Sequence, residues 1–171
     1  SSAVFFSGDW HVTDRLTLSA GARWTEEEKN FMGGNGGTSY CEEGGTTFCP
    51  EQEPIPGLNN PVSYSDKWSN TSPMVGARFQ VSEDIMVFGS YTEGFKSGGF
   101  FGRQANFDID ASYQPEYIDS YELGMKSTLM DGRMRFNPTL FLAKYKDKQE
   151  SILVPVSIVP PNVATVVRNA D

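Results

Sequence analysis

Residues 15–25 read Arg-Leu-Thr-Leu-Ser-Ala-Gly-Ala-Arg-Trp-Thr, and every second side chain in this stretch is apolar. Strand side chains alternate between the two faces of a sheet, whereas a helix would scatter both sets around its circumference. The stretch therefore predicts a β-strand with one apolar face and one polar face that includes Arg23. The residues on the apolar face are Leu16, Leu18, Ala20, Ala22 and Trp24.

The same alternation appears elsewhere along the chain. It recurs in five further segments, which are 4–12, 73–81, 85–95, 120–127 and 134–147. In the segment 85–95 the pattern does not indicate which face is the buried one. Pro138 lies inside the last segment and lacks a donor for the hydrogen-bond ladder, which predicts irregular pairing there. A seventh strand is expected to begin near Ala164.

The connections between the predicted strands alternate strictly in length. Three are short polar turns, at 13–15, 82–84 and 130–133, and three are long, at about 29–66, 98–115 and 149–163. The last short turn contains Asp131-Gly132, a strong hairpin signal. In an antiparallel up-and-down sheet this order puts all short turns at one end, as in outer-membrane barrels. The strands also reach the roughly 9–11 residues that cross a bilayer.

Charged side chains fall on the polar faces of these strands. They are Arg23, Arg78, Glu122, Lys126 and Arg135. A charge in the middle of a strand is costly toward lipid and cheap toward a wet lumen. We therefore predict that these charges face a lumen, where the arginines can pair with Glu122 or with carboxylates enclosed in that lumen, and that the face of Leu16 and Trp24 contacts lipid. A soluble β-sandwich would show the same alternation, but the loop asymmetry and strand length favour a transmembrane barrel.

Composition excludes several classes of protein. The chain has 171 residues with 14 Lys and Arg against 22 Asp and Glu, a formal net charge of −8, which argues against a nucleic-acid partner. Its single histidine, His11, excludes a multi-histidine metal centre within the chain and has no recognisable catalytic partners. No run of about 18 apolar residues predicts a transmembrane helix. We expect no enzyme activity, no cofactor and no metal.

The two cysteines, Cys41 and Cys49, lie in the longest loop among several glycines. We predict a disulfide between them, which would imply an oxidising compartment. A metal bridged by the two sulfurs is the less favoured alternative, because such a site would need further ligands and only glutamates are near.

Several motifs resemble the barrel of TonB-dependent outer-membrane receptors. They are TDRLTLSAGARW at 13–24, YTEGFKSGGF at 91–100, and PE at 115–116 followed by SYELGMKS at 120–127. The final Asn-Ala-Asp at 169–171 is similar to the Asn-Ala-Gly that opens a strand in many relatives. The matches occur in family order and cover most of the chain outside the long loops.

The resemblance implies an all-β, antiparallel up-and-down transmembrane barrel of about 22 strands with a plugged lumen. Residues 1–171 are then a partial barrel domain of six or seven strands, with the plug and the remaining strands outside this chain. The implied location is the outer membrane of a Gram-negative bacterium, in contact with lipid and lipopolysaccharide. The implied function is energised uptake of a scarce nutrient such as a ferric siderophore, driven by periplasmic TonB through the plug.

In this family reading the loop after segment 85–95 belongs to an extracellular rim. We predict that the rim binds the small nutrient through Lys96, Phe100, Phe101, Arg103 and Tyr113. Two alternatives remain at this stage: a secreted β-sandwich that binds or adheres through its aromatic loops, and a passive porin. The sequence does not identify the ligand, because specificity resides in the loops and in the plug.

Overall fold

The structure is a computed structural model that describes residues 1–34, 37–41, 62–101, 112–158 and 161–170, and it is built of antiparallel β-strands. In chain order the strands are β1 (Ser2–His11), β2 (Leu16–Gly34), β3 (Gly37–Cys41), β4 (Val62–Ser82), β5 (Ile85–Lys96), β6 (Gly99–Phe100), β7 (Ser112–Tyr113), β8 (Glu116–Leu129), β9 (Met134–Phe136), β10 (Thr139–Lys146), β11 (Lys148–Ile158) and β12 (Pro161–Ala170). No helix of the described residues has the length and hydrophobicity to cross a membrane.

The main sheet is a meander in the spatial order β1-β2-β4-β5-β8-β10, with β3 paired to β2 and β9 paired to β8. Every pairing in it is antiparallel. The short turns after β1, β4 and β8 therefore lie at one end of the sheet and the long connections at the other. This arrangement confirms the predicted up-and-down topology, and the sheet as described is open rather than closed.

The short turns use the local chemistry expected of tight hairpins. The hydroxyl of Thr13 accepts hydrogen bonds from the backbone N–H of Arg15 at 3.2 Å and of Leu16 at 3.0 Å. At the third turn Met130, Asp131 and Gly132 have positive φ values of 54°, 54° and 87°. Positive φ at two central positions is what a type I′ hairpin turn requires, and Asp-Gly tolerates it best.

The register brings apolar side chains from all six strands together on one face. Leu18 pairs with Trp10 and Ala77, and the same row continues through Gly89 and Leu123 to Leu140. The face is exposed: Leu140 is 74% and Val4 67% accessible. We name this surface the apolar face; it also carries Leu16, Trp24, Val75, Phe79, Tyr91, Tyr121 and Phe136.

Because the apolar face is exposed rather than packed on a second sheet, the sandwich alternative is wrong. The buried hydrophobic residues among those described are Phe31, Trp68, Phe100 and Val166, none of which belongs to this face. The register also assigns the segment that the sequence left open. Val87, Gly89 and Tyr91 lie on the apolar face, and Phe88 lies on the opposite one.

Pro138 interrupts the last strand of the meander as predicted, since β9 ends at Phe136 and β10 begins at Thr139. The side chain of Asn137 compensates for the interruption: its Oδ1 accepts from the Ser127 backbone N–H at 3.1 Å. The Ser127 hydroxyl donates to the carbonyl of Phe136 at 2.6 Å. The ladder is thus bridged by side chains where the imide nitrogen offers no hydrogen.

The long connections differ from expectation in two respects. Strands β2 and β4 have 19 and 21 residues, so they continue well into the segment predicted as loop. The predicted loop 149–163 is largely a hairpin, because β11 and β12 pair along its length. The seventh strand exists but begins at Pro161, and it pairs with β11 in a separate two-stranded sheet instead of extending the meander.

Candidate functional site

The five charged residues predicted for a lumen share the face opposite to the apolar face. The register determines this placement for each of them, Arg23, Arg78, Glu122, Lys126 and Arg135. Arg78 donates to Asp9 Oδ2 at 2.7 Å, and the same carboxylate accepts from the Ser19 hydroxyl at 2.7 Å. The carboxylate partner of Arg78 is therefore Asp9 on β1, with β2 lying between the two strands. Pairing of an arginine with Glu122 or with carboxylates of a plug stays a prediction.

A shallow groove of about 330 Å³ runs along this charged face. Its lining includes Asp9, Arg78, Phe88 and Lys126, which come from four different strands. The Lys126 ammonium lies 5.9 Å from the centre of the Phe88 ring. Neighbouring strands thus bring both signs of charge and an aromatic ring to a single concave surface.

A cluster of aromatic rings lies on the same face at the end where the long connections emerge. We call it the aromatic cluster, and it consists of Phe31, Tyr64, Trp68 and Phe100, with Phe95 packed against it. The Phe100 ring centre lies 5.5 Å from that of Tyr64 and 5.8 Å from that of Trp68. Phe31, Trp68 and Phe100 are nearly inaccessible, so the segment after β5 folds inward over β2 and β4.

Two glycines permit this close approach. A Cβ atom on Gly98 would lie 2.7 Å from the Trp68 ring and would collide with the carbonyl of Tyr113. A Cβ atom on Gly99 would lie 2.6 Å from the Tyr113 hydroxyl. Only residues without a side chain can therefore bring Phe100 onto the cluster along this path.

Polar contacts hold the inward segment beside the aromatic cluster. The Ser97 hydroxyl donates to Glu27 Oε2 at 2.7 Å, and Lys29 Nζ donates to the carbonyl of Gly98 at 2.9 Å. Lys29 also lies 3.7 Å from Glu27 Oε2 and 5.8 Å from the centre of the Trp68 ring. One face of the second half of β2 therefore supplies both the carboxylate, from Glu27, and the ammonium, from Lys29, that retain this segment.

A second group of contacts joins the hairpin β11–β12 to the same region. Gln149 Nε2 donates to the carbonyls of Ser97 at 2.9 Å and Gln114 at 3.0 Å. Asn169 Nδ2 donates to the carbonyls of Gln114 at 2.9 Å and Asp147 at 2.7 Å. In return, Asn169 Oδ1 accepts from the Gln114 backbone N–H at 2.8 Å.

The predicted rim residues are only partly brought together. Phe100 is buried in the aromatic cluster, and Tyr113 lies against Gly99. Lys96 points elsewhere, with its ammonium 3.8 Å from Glu116 Oε2, and Phe101 is half-buried. Arg103 lies outside the described residues, as does Cys49, so the predicted disulfide to Cys41 remains a prediction.

The sequence reasoning missed most of the residues that build this region. Phe31 and Tyr64 fall within the segment predicted as a long loop, Trp68 lies just after it, and the roles of Ser97 and Gln149 were not foreseen. Continuing the period of two from residues 17–25 puts Glu27, Lys29 and Phe31 on one face, although the apolar residues of the other face end at Trp24. Extending the strand to that point would have placed these side chains beside the charged face.

The chain matches, over residues 1–171, the family model for the TonB dependent receptor-like beta-barrel. It belongs to the TonB-dependent receptor family. Members of this family are outer-membrane proteins of Gram-negative bacteria, and the strands of the meander are barrel strands in that membrane. Among curated relatives, the ferric-pyoverdine 358 receptor of Pseudomonas putida is 32% identical over 81 residues, which are 47% of this chain and 9% of that protein.

Solved structures of this receptor class share the fold. The ferric yersiniabactin uptake receptor FyuA of Yersinia pestis has a TM-score of 0.63 at 17% identity, covering 86% of this chain and 20% of that one. The alcaligin outer-membrane receptor FauA of Bordetella pertussis has a TM-score of 0.56 at 18% identity, and the match covers 98% of this chain and 24% of that one. The ferric-catecholate import receptor Fiu of E. coli K12 has a TM-score of 0.52 at 19% identity, and the match covers 96% of this chain and 23% of that one. The chain thus spans at most about a quarter of these receptors.

In this TonB-dependent receptor the first charges beyond the apolar face lie toward the long connections. Lys67 Nζ is 2.8 Å from Glu26 Oε1, and Lys146 Nζ is 2.8 Å from Asp119 Oδ2. The hydrogen bond to Glu26 raises the pKa of Lys67. On the hairpin, the hydrogen bond to Glu150 likewise raises the pKa of Lys148. Both lysines are therefore cationic at neutral pH.

Proposed function

We propose that this chain forms part of the wall and extracellular rim of a receptor that takes up a scarce nutrient of the ferric siderophore class. The plug and the other strands belong to the rest of the protein, and periplasmic TonB acts through that plug. The curated relative is named as a ferric-pyoverdine receptor, and the solved relatives are named for ferric chelates or siderophores. The observation that carries the proposal is the aromatic cluster, which lies on the charged face at the end of the long connections.

The orientation of the sheet follows from the same proposal. The apolar face contacts lipid, and lipopolysaccharide in the outer leaflet, while the charged face lines the lumen. An arginine on the lipid side costs roughly 2–4 kcal/mol at the bilayer midplane and less toward the interfaces, so the costs of Arg23, Arg78 and Arg135 together favour the inward orientation. Turned inward, they and Lys126 face the volume that the plug occupies in a receptor of this family.

The rim chemistry suits an anionic ligand with apolar parts. The side chain of Lys96 is 65% accessible and its contact with Glu116, at 3.8 Å, is long, so its ammonium remains available to a ligand. We propose that Lys96 and Arg103 attract the negative chelate, and that Phe101 and Tyr113 contact its apolar parts. Phe100 contributes indirectly, by anchoring this segment in the aromatic cluster. We propose no catalytic role for any residue of the chain.

Iron uptake by the full-length receptor tests the proposal. A strain whose only outer-membrane iron receptor is this protein should import radiolabelled iron from a panel of ferric siderophores, including ferric pyoverdine. Import should stop when TonB is deleted. Uptake that persists without TonB would indicate a passive porin instead, and absence of binding to every ferric chelate would contradict the proposed ligand class.

A matched pair of variants tests the rim assignment within that strain. Lys96→Gln removes the proposed ligand cation and should weaken binding of an anionic ferric chelate severalfold. Lys67→Gln removes an exposed lysine that pairs with Glu26 on the apolar face and should leave binding unchanged. Equal effects of the two variants would refute a specific role of Lys96. The intact mass of the natural polypeptide should also be several times the 18.9 kDa of this chain.

A further inference from the structure

The hairpin β11–β12 is tied to both described flanks of the connection between β5 and β8. Gln149 and Asn169 are cross-strand partners at the base of the hairpin. From there they reach Ser97, which follows β5, and Gln114, which precedes β8. Residues that are 52 and 55 positions apart in the chain therefore meet at a single point.

The carboxamide of Gln149 is the group that joins the two flanks. Its Nε2 donates one hydrogen to the Ser97 carbonyl and the other to the Gln114 carbonyl, at 2.9 and 3.0 Å. A primary amide has two donor hydrogens, so both are used. The backbone N–H of Gln149 donates to Glu116 Oε2 at 3.0 Å, which fixes the position of the residue from which the side chain extends.

Ser97 carries this connection on to the aromatic cluster. Its carbonyl accepts from Gln149 and its hydroxyl donates to Glu27 at 2.7 Å, so it is held from both sides and is buried to 4% accessibility. Gly98 follows, with its carbonyl held by Lys29, then Gly99, and then Phe100, the ring that completes the aromatic cluster. Ser97 is thus one of the points that set the placement of Phe100.

We propose that Gln149 is a positioning residue whose carboxamide couples the hairpin β11–β12 to the aromatic cluster by fixing Ser97 and Gln114 together. A displacement of the hairpin then moves Ser97 and loosens Phe100 from Trp68. In the proposed receptor, a ligand that contacts the hairpin would change the aromatic surface that faces the lumen. That last consequence rests on the proposed function, whereas the coupling itself does not.

Hydrogen exchange followed by mass spectrometry tests the coupling in the full-length protein without any ligand. Gln149→Glu keeps the size of the side chain but replaces the Nε2 donor, with its two hydrogens, by an acceptor oxygen that faces two carbonyls. Amide exchange in peptides covering 96–101 and 112–116 should become at least fivefold faster. Peptides from β1 and from the part of β2 that precedes Trp24 should keep their wild-type rates, because the substitution leaves the hydrogen-bond ladder between these strands unchanged.

Two further variants separate hydrogen bonding from packing and from charge. Gln149→Met, of similar length and without donors, should accelerate exchange in the same two peptides as Gln149→Glu does. Glu150→Gln changes the neighbouring residue, which pairs with Lys148 at 2.8 Å, and should leave both peptides at wild-type rates. The proposed coupling is wrong if the two peptides exchange within twofold of their wild-type rates in both Gln149→Glu and Gln149→Met. It is also wrong if Glu150→Gln accelerates their exchange equally. Failure of iron uptake would bear on the proposed function alone.

Discussion

Replacing Ala20 with arginine should destabilise the barrel strongly, because Ala20 lies at the centre of an uncharged stretch on the apolar face. That stretch runs from Leu16 to Trp24 along β2. Eight residue steps at about 3.4 Å, tilted by about 40°, give a height of roughly 21 Å. This is close to the ~25 Å apolar band of an outer-membrane barrel, and it puts Ala20 near the midplane.

The expected cost of Ala20→Arg is therefore about 2–4 kcal/mol in the free energy of unfolding. Such a change shifts the folding equilibrium by roughly thirtyfold to several hundredfold, at tenfold per 1.4 kcal/mol. Leu18→Arg should cost less, because Leu18 lies only about 5 Å inside the edge of the band. Ser19→Arg is the matched control: its side chain lies on the charged face beside Asp9, where an arginine finds a carboxylate.

Urea titration of the full-length receptor in lipid vesicles measures these free energies directly. Outer-membrane fractions of cells that express each variant show whether assembly fails in vivo. The expected order of stability is wild type, then Ser19→Arg, Leu18→Arg and Ala20→Arg. The reasoning about orientation is refuted if Ser19→Arg destabilises the receptor as much as Ala20→Arg does.

Three further predictions concern the loops and the interrupted strand. Gly98→Ala should cost about 1–3 kcal/mol in the free energy of unfolding through overpacking against Trp68. It should also increase acrylamide quenching of the fluorescence of Trp68, which is obtained by difference from Trp68→Phe. The control Gly8→Ala, where no atom lies within 4 Å of the added Cβ, should change neither quantity. Asn137→Ala should cost about 1–3 kcal/mol in urea titrations, because it leaves the N–H of the buried Ser127 without an acceptor, while Asn137→Asp should retain most of the stability. A disulfide between Cys41 and Cys49 should appear in non-reducing peptide mapping of protein from the oxidised envelope and should contribute roughly 2–3 kcal/mol; two free thiols there would contradict it.

The candidate site was less predictable from the sequence than the barrel strands. The alternation around Ala20 and the Asp131-Gly132 turn predicted strands, faces and topology that the register then confirmed. The pairing of Arg78 with Asp9 was not predicted, because which carboxylate comes within reach depends on the register between strands. The aromatic cluster was missed, because its rings come from β2, from β4 and from the segment after β5, which are far apart in the chain. No local pattern encodes such a meeting.

The sequence alone determined the period-two faces of the strands, the short turns and the family of this chain. It did so because strand geometry and turn conformations depend on neighbouring residues, which are read directly along the chain. The tertiary structure decided that Phe100 is buried, that Asp9 pairs with Arg78, and that Gln149 joins Ser97 to Gln114. These contacts depend on strand register and on the inward fold of a glycine-containing segment, and both arise only when distant parts of the chain pack together.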